Sequence, residues 1–419
     1  MAIIKPFKAL RPQAQFAKQV ASRPYDVLNS AEAKVEAQGN PYSFLYITKS
    51  EIGLPDSVDI HSAEVYERAK ENVASFIKRD TLFRENKDCY YLYRLVMPAA
   101  PLTGGNGRSQ TGLVCVSSVD DYENDIIKKH EFTRPEKEND RINHIKTTGA
   151  QTGNVFLAYR NVEAIDNIFS NYMKTKSPIY DFVADDDIAH TIWIINDTDT
   201  VNEITALFET KVPCTYIADG HHRAASAAKV RSALGKGASS NADYFLTTLF
   251  PSNQLEIMEY NRLIKTLNGH TAESFLQNIQ QDFTIEEKGT EAYKPEHIHA
   301  FGLYINGKWF KIVSKENTFT NDPIGVLDIT ILQNNILSKY LNIHDQRTDK
   351  NIDFVGGIRG LGELEKRVNS GEMIMAFSLY PVSIEQLFNI ADSGNVMPPK
   401  STWFEPKLRD GLLTHLIYQ

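Results

Sequence analysis

Cysteine is scarce: Cys89, Cys115 and Cys214 stand singly, with no pair at the spacing of a zinc knuckle or a redox dithiol. A disulfide scaffold is excluded, and the three read as buried thiols in a reducing cytoplasm. Long apolar runs are also missing. The longest, such as residues 90–97 and 192–195, fall far short of the roughly 20 residues a membrane-spanning helix needs. The opening Met1-Ala-Ile-Ile-Lys-Pro-Phe-Lys lacks the apolar stretch of a secretory signal, so a cytoplasmic protein is expected. Basic charge is not in excess either: 45 Lys and Arg face 53 Asp and Glu, a formal charge of -8. That balance offers no global attraction to a polyanion, so neither nucleic acid nor membrane is expected as a partner. No internal repeat or low-complexity linker occurs.

The sequence has 419 residues, 42% of them hydrophobic and 23% charged, enough for two or three packed units of a globular protein. Residues 1–30 carry Pro6, Pro12 and Pro24 and suit an extended arm or edge strand. Residues 62–80 read as an amphipathic helix with Val65, Ala69, Val73, Phe76 and Ile77 on one face. Strands are expected at 90–96, 113–117, 155–159, 191–195, 244–250, 299–304, 309–313 and 373–379 from their branched and aromatic residues. The glycine-rich segment 101–112 reads as a loop, and Asn306-Gly307 as a hairpin turn. Asp185, Asp186 and Asp187 read as a solvated turn in preference to a metal cage. The expected fold class is α+β, divided at 1–150, 151–275 and 276–419.

The strongest local signal is Tyr216-Ile-Ala-Asp-Gly-His-His-Arg-Ala-Ala-Ser-Ala-Ala. An apolar run precedes Asp219 and an alanine-rich helix follows Arg223, with Gly220 at the join. A glycine there permits a sharp turn and close approach of a ligand, and the helix start offers free amides and a positive dipole end. His221, His222 and Arg223 add donors, and Asp219 can orient a histidine, position a metal or take a proton. The bland alternative makes Asp219 a helix cap and the histidines surface groups. Adjacent histidines point apart on a helix, which disfavours joint metal ligation, and no metal is assigned. If Arg223 grips phosphate, Arg223→Ala should weaken binding with little loss of folding.

A second polar cluster is His130-Glu131-Phe132-Thr133, followed by Arg134, Lys137, Asp140 and Arg141. Glu131 follows the apolar pair Ile126-Ile127, which would seat it in a partly dry pocket as a general base. The competing reading is a charged surface helix. Two proline-bearing segments, Ser22-Arg23-Pro24-Tyr25-Asp26 and 397–408, place Arg23, Tyr25, Lys400 and Lys407 as candidates for holding an acidic substrate. Trp403 and Phe404 offer a purely structural reason for the second.

Lys5-Pro-Phe-Lys, Ser22-Arg-Pro-Tyr-Asp-Val, His130-Glu-Phe-Thr, Tyr216-Ile-Ala-Asp-Gly-His-His-Arg, Tyr260-Asn-Arg-Leu-Ile and Met397-Pro-Pro-Lys-Ser-Thr-Trp-Phe-Glu-Pro-Lys-Leu together resemble the domain-of-unknown-function family number one thousand and fifteen. Asp219-Gly-His-His-Arg is similar to the signature of archaeal free-serine kinases that use ADP, which share a fold with sulfiredoxin and ParB. The resemblance implies a ParB/sulfiredoxin-like core elaborated by N-terminal and C-terminal mixed α/β segments. It implies that Gly220, His222 and Arg223 cradle phosphate, that His221 stands where sulfiredoxin has its cysteine, and that Glu131 serves as the base on a serine hydroxyl. His130, Arg23, Tyr25 and Lys400 would bind substrate, with Asp219 and His221 assisting. The implied function is phosphotransfer between free serine or phosphoserine and ADP or ATP, with Mg²⁺. Two alternatives stand beside it: a phosphoserine phosphatase with His221 or His222 as phosphate acceptor, and a non-catalytic nucleotide-binding regulatory module.

Overall fold

A computed structural model describes residues 1–99, 107–235 and 237–418. The chain divides into two compact units, one of residues 1–98, 107–255 and 406–419, the other containing residues 256–405. Residue 150 thus falls inside the first unit and residue 275 inside the second. Both units are mixed α and β. No helix among the described residues is long and apolar enough to cross a membrane.

The first unit is built on a nine-stranded sheet. Its strands are β1 (Ile4–Lys5), β2 (Tyr90–Met97), β3 (Arg108–Ser118), β4 (Ile127–Lys128), β5 (Val155–Tyr159), β6 (Tyr180–Val183), β7 (Ala189–Ile195), β8 (Thr215–Asp219) and β9 (Tyr244–Pro251). They run in the order β4-β8-β5-β9-β3-β2-β7-β6, with β1 paired to β3. The pairs β8/β4 and β9/β5 are parallel and the others antiparallel. β5 is buried at all five positions, as its unbroken apolar run requires of a central strand. Its Val155, Leu157 and Tyr159 join Tyr90, Trp193, Ile217 and Phe245 in the main core.

Five helices belong to this unit's scaffold: α1 (Ala63–Lys78), α2 (Pro135–Thr148), α3 (Glu163–Thr175), α4 (Thr198–Lys211) and α5 (His221–Leu234). α1 buries Val65, Ala69, Val73 and Phe76 as expected, but Ile77 is exposed. Steps of four advance the side chain by roughly 40° around a helix, so the third step from Val65 carries residue 77 off the buried face. α2 starts with proline at its first position and ends at Gly149 with φ 69, a left-handed stop. It is no free surface helix, since Glu138, Arg141, His144 and Ile145 are buried along it.

Three local expectations change. Residues 108–112 extend β3, because Arg108 to Gly112 each find a partner on β2 from Met97 to Tyr93; residues 101–106 of the expected loop lie outside the described residues. The N-terminal arm is extended only at β1 and Leu10–Pro12, while Ala14–Phe16, Ala17–Val20, Tyr25–Val27 and Ser30–Ala37 are short helical turns. Proline tolerates the first turn of a helix as well as a strand edge, so its presence did not decide between them. Cys89 and Cys115 are buried, whereas Cys214 is half-buried with its Sγ 3.3 Å from Tyr216 Oη.

The second unit carries an all-antiparallel six-stranded sheet. Its strands are β10 (Tyr260–Ile264), β11 (Phe283–Gly289), β12 (Ala300–Ile305), β13 (Lys308–Ser314), β14 (Ile352–Gly356) and β15 (Met375–Leu379), ordered β11-β13-β12-β15-β10-β14. Asn306 and Gly307, with φ of 51 and 74, make the tight β12–β13 turn. Positive φ at both central residues matches the right-handed twist of the flanking strands.

Candidate functional site

The motif 216–228 folds as read: strand β8, a glycine turn, then α5. β8 lies inside the sheet, between β4 and β5. Its register with β5 shifts between Ile217 and Asp219. A bulge at a strand end re-aims the following side chain, and here that side chain is Asp219. Gly220 has φ 100, and a Cβ there would stand 3.3 Å from Val155 Cα. Backbone strain and the neighbouring strand therefore both demand glycine. As the N-cap of α5, Gly220 supplies no side-chain acceptor to the first amides of the helix. The alanines beyond it are small enough for α5 to pack closely on α2, where Ser226 Oγ donates to Glu138 O at 3.1 Å.

Arg223 is the buried hub of the site, its side chain 8% exposed. Its guanidinium donates to Asn154 O and to Asp26 Oδ2, the latter at 3.0 Å, and Asp219 Oδ2 lies 3.7 Å away. Burial alone would lower its pKa, but Asp26 and Asp219 raise it, so the charge is permanent. Asp219 in turn faces Lys407 Nζ at 3.4 Å. Burial would raise the Asp219 carboxyl; Lys407 and Arg223 outweigh it and hold the group well below the usual carboxylate range. The turn at the start of α5 thus carries one carboxylate flanked by two cations.

On the other side of the turn, the rings of His130 and His221 meet edge to face, 4.5 Å between centroids. The His130 amide donates to His221 Nε2 at 3.4 Å. His221 Nδ1 lies 3.7 Å from Glu131 Oε2, so the two clusters of the sequence meet in space. Burial, reinforced by His130, pushes the His221 pKa well down, and burial takes His130 to about 4. Both rings are neutral near pH 7. With Nε2 of His221 accepting, its proton sits on Nδ1, facing Glu131. His222 accepts at Nε2 from the Arg134 amide at 3.0 Å. Burial and then Lys137 lower its pKa.

Glu131 is not in a dry pocket: its side chain is 54% exposed. Ile127 points into the sheet core, but half-buried Lys129 and buried His130 intervene, and the side chain at residue 131 emerges to solvent. Of the proline-bearing segments, Tyr25 is brought close, with Arg141 over its ring at 3.9 Å and burial pushing its hydroxyl up to about 12. Arg23 is turned away, its Nε donating to Glu36 at 2.6 Å. Its neighbour Asp26 holds Arg223 instead. Lys400 belongs to the second unit, 5.4 Å from the Tyr260 ring centroid, whereas Lys407 of the same segment is at the motif.

Two further residues complete the first unit's site. Asp410 is buried, and burial raises its carboxyl to about 8 despite Arg223. Its backbone pairs with Ser22 in both directions, at 2.9 and 3.1 Å. Gly153 makes room for this arrangement, since a Cβ there would meet Arg223 Cδ at 3.1 Å and Asp410 Oδ1 at 3.6 Å. Asp26 and Lys407 stood in segments the sequence had marked; Asp410 carried no local signal. The donor set does not fit Mg²⁺ held by Asp219. A divalent cation wants several oxygen ligands, and this carboxylate is already shared between Lys407 and Arg223.

Among solved structures, the chain is similar to a free serine kinase variant in complex with AMP, at 13% identity and TM-score 0.36 over 72% of this chain and 92% of that one. A conserved hypothetical protein from Pyrococcus furiosus matches at 15% identity and TM-score 0.35, over 72% and 94%. SbnI with a C-terminal truncation, from Staphylococcus aureus, matches at 12% and 0.39, over 72% and 87%. No curated protein matches by sequence. The family model described as protein of unknown function (DUF1015) matches residues 4–330, and the chain belongs to that family.

Proposed function

We propose that the chain is a phosphotransferase that moves a phosphoryl group between a nucleotide, ADP or ATP, and the hydroxyl of free serine or phosphoserine. The observation that carries this reading is the meeting of Glu131 with the glycine turn: its carboxylate stands 3.7 Å from His221 Nδ1 at the start of α5. In the serine-phosphorylating direction, Glu131 takes the proton as the serine Oγ bonds to phosphorus. The bond to the nucleotide's leaving oxygen breaks, and that oxygen departs with the electron pair. The reverse direction makes serine. Neutral His221 orients Glu131 through the proton on Nδ1.

The amides of the α5 start and Lys407 are the donors for the transferring phosphoryl group. Arg223 supports them from beneath by fixing Asp219, because its own guanidinium is committed to Asp26 and Asn154. This shifts the phosphate-holding role from Arg223 toward Lys407. A phosphohistidine route through His221 is disfavoured: its side chain is 4% exposed, with both ring nitrogens engaged or faced. The choice of serine, and the ParB/sulfiredoxin-like character of the core, rest on the Asp219-Gly-His-His-Arg resemblance.

The test incubates the protein with serine plus ATP or ADP, and with phosphoserine with and without ADP, following phosphorus by NMR. Nucleotide-dependent interconversion is the expected result. Nucleotide-independent phosphate release would favour a phosphatase. Nucleotide binding by calorimetry without turnover would leave a regulatory module and remove the enzyme.

A further inference from the structure

The Lys5-Pro-Phe-Lys segment is conspicuous in the sequence and has no part in the site above. Along it Ile4, Phe7 and Ala9 are buried, while Lys5 is exposed and Lys8 half-buried. The two lysines enter a cleft of 530 Å³ in the first unit, together with Arg84, Asp88, Asp243 and Tyr244. The volume lies within the range of small-molecule sites. Buried Phe7 and His415 form part of its lining, their rings 5.6 Å apart.

The charges in this cleft are unbalanced. Among the described residues, none of Lys5, Lys8 and Arg84 forms an ion pair. Lys5 lies instead over the Tyr244 ring at 4.4 Å. Asp243 faces inward to Arg231, 3.7 Å away, leaving Asp88 as the carboxylate set against three cations. Those cations come from separate stretches of chain: Lys5 from β1, Lys8 from the segment between β1 and Leu10–Pro12, and Arg84 from the strand Leu82–Arg84. That strand pairs with Leu10–Pro12, and Phe7 bridges Cys89, so the three are fixed on one frame and not left on loose ends.

Like charges assembled on a rigid frame cost stability unless something neutralises them. We infer that the cleft lined by Lys5, Lys8, Arg84 and Tyr244 is a second ligand site, which binds a small polyanion such as a phosphate-bearing or polycarboxylate metabolite. Three donors suit at least two negative charges, and the tyrosine ring gives an apolar surface for the ligand's body. The site is separate from the Gly220 turn. Residues following α5 line it, and Arg231 in the last turn of α5 reaches Asp243, so α5 with its 14 residues stands between the two sites. That length is about 20 Å.

Calorimetric titration of the full chain with pyrophosphate and, separately, with citrate tests the inference. Wild type and Lys407→Ala should both bind at this cleft. Lys5→Gln/Lys8→Gln/Arg84→Gln should lose that binding by at least about a hundredfold, as removal of several charge-assisted bonds implies. Binding of pyrophosphate but not citrate identifies a phosphoryl ligand, and the reverse a carboxylate. Lys8→Gln/Arg84→Gln, with wild-type melting as its control for folding, should fall by at least about tenfold. Unchanged binding in these variants, or no binding of either anion to Lys407→Ala, overturns the second site. Loss confined to Lys407→Ala would speak to the Gly220 turn alone.

Discussion

Replacing Arg223 by alanine is expected to unfold more than it uncouples. The side chain is 8% exposed and satisfies Asn154 O, Asp26 and Asp219 together. Its removal leaves a backbone carbonyl and two carboxylates facing one another across a void. Breaking a buried ion pair by deleting one partner typically costs 3–5 kcal/mol. Asp26 and Asp219 are 27% and 33% exposed, so water can reach them and the lower end applies, about 3 kcal/mol. For a domain of this size each kcal/mol moves Tm by about 2–4 °C, giving a fall of about 6–12 °C. Differential scanning calorimetry of Arg223→Ala beside wild type reads this directly. The simple phosphate-clamp expectation, lost binding with folding intact, gives the opposite result. A Tm within about 2 °C of wild type would refute the hub described above and return Arg223 to the ligand.

Other outcomes are equally direct. Glu131→Gln should leave Tm unchanged, because the side chain is 54% exposed, and should lower kcat for serine phosphotransfer by about 100-fold or more; steady-state kinetics with unaltered nucleotide affinity checks it. Burial holds His130, His144 and His415 at about 4, His190 at about 3, and His221 well below its ordinary 6.5. The unfolded chain therefore binds more protons than the folded one between these values and 6.5. Their stability contribution is full above pH 6.5 and is lost as pH falls toward 4. Urea unfolding from pH 7 to 4 should show a steep loss, and a flat profile would contradict the burial of these rings. Asp410 acts in the opposite sense, since its folded value of about 8 lies above the ordinary 3.8. Its contribution is present below about pH 4 and declines as pH rises through about 8. Asp410→Asn should therefore gain stability relative to wild type as pH rises from 4 to 8.

What could be read from the sequence was local. The run 155–159 is a strand with the same bounds in the structure, and Asp219-Gly220-His221 is the strand–turn–helix that its alanines and glycine imply. Periodicity also placed four of the five residues assigned to the buried face of α1. What escaped was long-range. Asp26 and Lys407 reach the motif across 197 and 188 residues of chain, to Arg223 and Asp219. No propensity or spacing encodes which of Arg23 and Asp26, or of Lys400 and Lys407, turns inward. Tertiary packing decides that choice, through Glu36 in one case and the division of the chain at Pro406 in the other. The partly dry setting imagined for Glu131 failed for the same reason, since two preceding isoleucines do not say how far the chain travels before the next side chain.

The pairing of Ser22 with Asp410, like that of Leu10 with Thr414, has a consequence for the order of events in folding. Contacts closing loops of that length are entropically costly and tend to form late. A nascent chain can assemble the strand–turn–helix of the motif long before Lys407 and Asp410 have been synthesised. Until they arrive, Asp219 lacks its lysine and Arg223 is covered on one side only. The polar centre is thus available early as a local structure but incomplete until the segment carrying Lys407 and Asp410 has been made, which times the appearance of a competent site to the synthesis of that segment.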